Sequence, residues 1–177
     1  MNISIVGLGY VGLPAAIAFH DAGFKVTGID ISEKTISFLK LGKIPIDDPS
    51  FTTPIPINSD RWVVTNEYRD IMKSEVIIIT VPTPVNSHDL PDLSYIKAAV
   101  NSIFANITDD IAPIIVLEST VFPGVSRDIF SSLSLDHNLK LGIDFHFGYS
   151  PERINPGVLE NRIENTVRII GCDDIEV

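Results

Sequence analysis

Short apolar runs rich in β-branched residues alternate along this chain with amphipathic stretches of helical period. The runs that read as strands are Ile3–Val6, Lys25–Ile29, Trp62–Thr65, Val76–Thr80 and Ile114–Glu118, with two later ones near Phe145–Tyr149 and Thr166–Ile170. Val76-Ile77-Ile78-Ile79 and Ile114-Ile115-Val116-Leu117 contain no polar position, as parallel strands covered on both faces do. Between the strands, the pattern predicts helices at Val11–Ala22, Glu33–Leu39, Tyr68–Met72, Leu93–Asn106 and Val125–Leu133. Asp92 stands where it can cap the fourth of them. Residues 42–60 lose the periodicity and hold Pro45, Pro49, Pro54 and Pro56, so they are expected to form a surface loop between the second and third strands. Trp62 is expected in the core, and His20, inside the first helix, in packing or at the surface.

A βαβα succession with short connections predicts an α/β fold. It is a Rossmann-type doubly wound, mainly parallel sheet with helices on both faces. The 177 residues make a single domain on the usual size prior. In such a sheet, ligands lie across the carboxyl ends of the strands at the point where strand order reverses. Residues that carry chemistry should therefore stand just after strands.

The first strand runs straight into Gly7-Leu8-Gly9-Tyr10-Val11-Gly12. Gly7 permits the tight turn off the strand, Gly9 lets a pyrophosphate approach the backbone, and Gly12 allows close packing of helix on strand. The helix N-terminus adds free N–H groups and a partial positive charge for phosphate. The second strand ends on Asp30, placed to accept both hydroxyls of an adenosine ribose and to repel a 2′-phosphate. Neither Ile31 nor Ser32 supplies an arginine for that phosphate, so NAD is favoured over NADP.

The later strand ends carry further candidates. Thr80-Val81-Pro82-Thr83-Pro84 is a stiff turn. In it, Thr83 either bonds the cofactor's ribose or phosphate or sits in a rigid turn without contact. In Glu118-Ser119-Thr120, a hydroxyl either positions a water or substrate oxygen near the nicotinamide or caps the next helix. Glu152, in Ser150-Pro151-Glu152-Arg153, is either a general base or water-orienting acid, or a solvated loop charge.

Composition narrows the partners. Hydrophobic residues at 45% suffice for a sizeable core, and 20% charged residues argue against disorder. A net charge of −10 argues against nucleic acid and anionic membranes as partners. No apolar run approaches the roughly 18 residues of a bilayer span. The chain starts on a strand without room for a signal peptide, so a cytoplasmic location is expected. One cysteine, Cys172, excludes an internal disulfide and a multi-cysteine zinc site. His20, His88, His137 and His146 lack ligand spacing, so no metal is expected, and Asp109-Asp110 and Asp173-Asp174 read as solvated ends of elements.

Taken together, Gly7-Leu8-Gly9-Tyr10-Val11-Gly12-Leu13-Pro14, Val81-Pro82-Thr83-Pro84, Glu118-Ser119-Thr120-Val121 and Ser150-Pro151-Glu152-Arg153 resemble the cofactor-binding domain of the UDP-glucose/GDP-mannose dehydrogenase family. They occur in the family's order over almost the whole chain. Pro91–Ile96 and Tyr149–Gly157 look most like its UDP-N-acetylglucosamine/UDP-N-acetylmannosamine 6-dehydrogenase branch.

The resemblance implies oxidation of the C6 alcohol of a nucleotide sugar to a carboxylate with two NAD. In such enzymes a cysteine captures the aldehyde, and water releases the resulting thioester. It further implies NAD contacts at Gly7, Gly9, Gly12, Asp30, Thr83 and Thr120. Tyr10 and Val11 would lie in the cofactor loop, and Thr120 and Glu152 would order the catalytic water or act in acid–base steps. A second acid, found in some members four residues beyond the position of Glu152, is replaced by Pro156. The family's catalytic cysteine, lysine and asparagine, its central helix and its UDP-sugar-binding domain are expected outside these 177 residues. Cys172, at a strand end, is expected to be buried and inert. The parent is expected to be a homodimer and the isolated domain a monomer that binds NAD weakly and does not turn over. Rival readings are another two-domain Rossmann dehydrogenase of the hydroxyacid or 6-phosphogluconate type, and a non-catalytic NAD-sensing module.

Overall fold

Alternate side chains of the central strands go to opposite faces of one sheet, and that alternation builds two cores. Ile77 and Ile79 of the fourth strand face one way, with Ile115 and Leu117 of the fifth; Ile78 and Val116 face the other. An apolar run without polar positions is therefore what a strand between two helical layers requires. Burying each such side chain is worth about 1.5–3 kcal/mol.

The computed structural model describes residues 1–47, 51–85, 87–108, 110–152 and 167–172. Among them the strands are β1 (Asn2–Val6), β2 (Lys25–Ile29), β3 (Trp62–Thr65), β4 (Val76–Ile79), β5 (Ile114–Leu117), β6 (His146–Tyr149) and β7 (Gly171–Cys172). The helices are α1 (Gly12–Asp21), α2 (Glu33–Lys40), α3 (Ser94–Phe104) and α4 (Val125–Asp136). The strands lie in one sheet in the order β3-β2-β1-β4-β5-β6-β7. β1 to β6 pair in parallel and β7 pairs antiparallel to β6. The order reverses between β1 and β4, which is the switch point of a doubly wound sheet.

The predicted mainly parallel pairing holds, and the first five strands hold within a residue at each end. Three local expectations do not. Tyr68–Met72 is a single 3-10 turn, Tyr68–Ile71, too short for an α-helix between β3 and β4. Among the described residues the last strand is Gly171–Cys172, and residues 167–170 of the predicted Thr166–Ile170 are not strand. Thr166 lies outside the described residues. Residues 42–60 are irregular where described, but they are not merely surface. Ile55 is buried, and Ile44, Ile46 and Phe51 pack against the core under α1 and α2. Proline breaks the period of this segment without removing its apolar anchors.

Some buried polar groups are paired within this frame. Ser4, fully buried in β1, meets Ser74 with their hydroxyl oxygens 2.6 Å apart. His20 is buried on α1, with Nδ1 3.1 Å from Asp21 Oδ1 and Nε2 2.8 Å from Ser59 Oγ, and packs edge-on to the buried Trp62. Both residues are in packing roles, as expected. Asp92 Oδ1 accepts from Ser94 N at 2.9 Å, so it does serve the start of α3, from one residue before the N-cap position. Asp110 is exposed; Asp109, Asp173 and Asp174 lie outside the described residues. No described helix is long and apolar enough to cross a membrane.

Candidate functional site

The glycine turn after β1 is held from three directions. Gly7 adopts φ +96°, a left-handed conformation that a side chain disfavours. Its N–H donates to Ile29 O at 2.8 Å, tying it to β2. From β4, Thr80 Oγ1 lies 2.7 Å from Gly7 O and 3.1 Å from Val6 O. A Cβ on Gly12 would fall closer to Gly7 O and Thr80 Oγ1 than the 3.0 Å real Cβ atoms keep, so the helix can start this close to the strand only with glycine there. A Cβ on Gly9 would meet nothing within 4 Å. No side chain caps the start of α1 and no acid lies in its first turn, which leaves its N–H groups for an anion.

Asp30, just past β2, clamps this turn. Its Oδ2 accepts from Leu8 N at 2.8 Å and its Oδ1 from Ser32 N at 2.8 Å. Ser32 caps α2, its Oγ accepting from Thr35 N at 3.2 Å, so Asp30 is not needed as a cap. Beside it stands Tyr68. Burial, and then the Asp30 charge, push the Tyr68 phenol up to about 12.

A cavity of about 560 Å³ runs along the carboxyl ends of the strands from Asp30 to Glu152. The glycine turn floors it, Thr80 and Thr83 enter from the end of β4, and Tyr95, Ala99 and Ser102 of α3 wall it. At its far end Ser119 Oγ donates to Val81 O at 2.6 Å, tying the ends of β5 and β4 together. Glu118 is buried and forms an ion pair with Arg168. Burial pushes the Glu118 carboxyl up, opposed by Arg168 and reinforced by the charge of Glu152.

Residues 1–176 match the UDP-glucose/GDP-mannose dehydrogenase family, NAD binding domain. The chain belongs to this family as its NAD-binding domain. It is 38% identical over 177 residues to Protein CapL of Staphylococcus aureus, covering 99% of this chain and 40% of that protein. It is 35% identical over 173 residues to the UDP-N-acetyl-D-mannosamine dehydrogenase of Pyrococcus horikoshii, covering 97% of this chain and 41% of that one. GDP-mannose dehydrogenase from Pseudomonas aeruginosa, solved as a ternary complex, superposes with a TM-score of 0.90 at 29% identity, over 99% of this chain and 42% of that one. The chain spans about two fifths of the length of these relatives.

Within this NAD-binding domain, the cavity brings together Gly7, Gly9, Tyr10, Val11, Asp30, Thr83, Thr120 and Glu152. Gly12 does not line it; it lies buried behind Gly7 as the packing glycine. Thr120 is exposed and Glu152 half-buried, and Arg153 onward to Gly157 lies outside the described residues. Neither Ser119 nor Thr120 caps the next helix, because the N-cap position of α4 is Gly124. Cys172 is exposed rather than buried: β7 lies at the sheet edge, and its Sγ donates to Phe147 O at 3.1 Å.

Sequence reasoning missed Thr80, Tyr68 and Arg168 and left Glu118 without a role. The signal for Thr80 was present, a hydroxyl ending an apolar strand beside the switch point. Nothing local marks Tyr68 or Arg168.

Proposed function

We propose that this domain holds the oxidant for a nucleotide-sugar 6-dehydrogenase, with a UDP-N-acetylhexosamine as the sugar nucleotide of the whole protein. The observation that carries the reading is the single cavity from Asp30 after β2, over the glycine turn, to Thr120 and Glu152 after β5 and β6. The relative named UDP-N-acetyl-D-mannosamine dehydrogenase supports the hexosamine.

The residues fit NAD. Gly7 and Gly9 leave a cradle without side chains, and the open space at Gly9 suits a pyrophosphate. Tyr10 and Val11 border that cradle. Asp30 accepts the ribose hydroxyls of adenosine, and its negative charge disfavours a 2′-phosphate. Thr83 and Thr120 reach the nicotinamide half. When bound, NAD supplies a hydride acceptor, and two equivalents take an alcohol to a carboxylate with water as the oxygen source. Thr120 and Glu152 orient that water, and Glu152 takes its proton.

Cys172 is not among the cavity residues, so no thiol of these 177 residues reaches the reacting carbon. The domain is therefore a binding module that does not turn over by itself. Calorimetry on the 177 residues should show NAD binding with preference over NADP, and a UDP-N-acetylhexosamine should yield no NADH. Absence of NAD binding overturns the cofactor assignment, and NADH production overturns the inactivity.

A further inference from the structure

Glu118 lines the cavity, yet it is only 5% exposed. One oxygen, Oε1, receives Arg168 Nη1. The other, Oε2, is buried with no hydrogen-bond partner. Neighbouring hydroxyls do not reach it. Ser119 Oγ is committed to Val81 O, and the buried Ser150 Oγ, just past the end of β6, has no partner either. An acceptor in this state at a ligand cavity calls for a donor, because a buried polar oxygen left unmatched is costly.

Strand order decides which part of a dinucleotide meets it. Asp30 follows β2, the glycine turn follows β1, Thr83 follows β4 and Glu118 follows β5, and these strands are neighbours in that sequence across the sheet. Three strand spacings separate β2 from β5, about 14 Å, the reach of an extended dinucleotide. With the adenosine ribose on Asp30 and the pyrophosphate on the glycine turn, the nicotinamide ring falls at the end of β5. That ring carries one strong N–H donor, its carboxamide.

We infer that Glu118 Oε2 accepts the carboxamide N–H of the nicotinamide, with Arg168 as the positioning residue that fixes the carboxylate. The inference rests on the NAD assignment above. Glu118 then reads the substituent on the pyridine ring. It favours a primary amide, gains nothing from a methyl ketone, and repels a carboxylate. Arg168 leaves only one oxygen available, so a glutamine at this position would give its oxygen to the guanidinium and turn its NH2 group toward the carboxamide, donor against donor.

Calorimetry on the 177-residue chain tests this with NAD, 3-acetylpyridine adenine dinucleotide, nicotinic acid adenine dinucleotide and ADP-ribose. The unsubstituted chain should bind NAD about tenfold tighter than the acetylpyridine analogue, the loss expected for a hydrogen bond to a charged group, and the nicotinic acid form should be weaker still. In Glu118→Gln, NAD should weaken by about tenfold, discrimination against the ketone should shrink to about twofold or less, and ADP-ribose should bind as before. Equal binding of NAD and the ketone by the unsubstituted chain overturns the inference, even if the variant does not fold. So does a variant that keeps the original ratio, or one that loses ADP-ribose in proportion to NAD. Failure of ADP-ribose to bind the unsubstituted chain instead overturns the NAD assignment itself.

Discussion

Thr80 Oγ1, at the end of β4, lies 2.7 Å from the carbonyl oxygen of Gly7 at the end of β1. One hydroxyl thereby holds the turn across the switch point. Thr80→Val keeps the shape and removes the bond, and it should cost about 1 kcal/mol of stability, with Thr80→Ser recovering most of it. NAD affinity should fall with Thr80→Val, since the turn loses its anchor. Urea denaturation and calorimetry on both variants check the two effects.

Gly9 and Gly12 should respond oppositely to alanine. At Gly12 the added methyl must displace the Gly7 carbonyl or Thr80, so Gly12→Ala should destabilise the domain by about 1–3 kcal/mol. At Gly9 a Cβ meets nothing within 4 Å, so Gly9→Ala should leave stability unchanged within about 0.5 kcal/mol. Its cost should appear in NAD affinity, because the methyl would enter the space proposed for the pyrophosphate. Thermal melts with and without NAD separate the two variants.

Asp30 holds the turn through Leu8 N and Ser32 N, and in the proposed site the same carboxylate takes the adenosine ribose. Asp30→Ala leaves Leu8 N and Ser32 N without their acceptor and removes the charge proposed to disfavour a 2′-phosphate. NAD affinity should drop about tenfold, and the preference over NADP should largely disappear. Paired titrations with NAD and NADP check this; an unchanged ratio would argue against Asp30 as the discriminating group.

Tyr68 should show itself in an alkaline titration. Its phenol is held up at about 12 by burial and by the Asp30 charge. A group raised from 10.0 in the folded state favours folding below that value, and the contribution is lost as pH rises through about 12. Ultraviolet titration should show one phenolate forming near 12 that is absent in Tyr68→Phe. In Asp30→Asn, that transition should move down.

Glu118 imposes a pH dependence of unusual sign for a carboxylate. Burial raises it above its ordinary 4.5, so its contribution to stability is fully present below that value and declines as pH rises through the higher folded value. The stability of the protein relative to Glu118→Gln should therefore fall as pH rises above about 4.5. Denaturant melts of the pair across that range check the sign. A difference that grows with pH would show that Arg168 outweighs burial.

The sequence by itself determined the strand–turn–helix at Gly7–Gly12 and the two-faced strands at Val76–Ile79 and Ile114–Leu117. It also determined the placement of Asp30, Thr83, Thr120 and Glu152 beyond strand ends. These features are written in neighbouring residues: a missing Cβ, a period of two, an acid that ends an apolar run. Tertiary structure alone decided that Thr80 anchors Gly7, that Tyr68 stands beside Asp30, and that Arg168 pairs with Glu118. It also turned Ser119 to Val81 O rather than to α4, and put Cys172 on an exposed antiparallel edge. Each depends on the strand order β3-β2-β1-β4-β5-β6-β7, which joins residues remote in sequence and sets which groups lose water. Burial and partnership of polar groups follow from that pairing, and no local pattern encodes it.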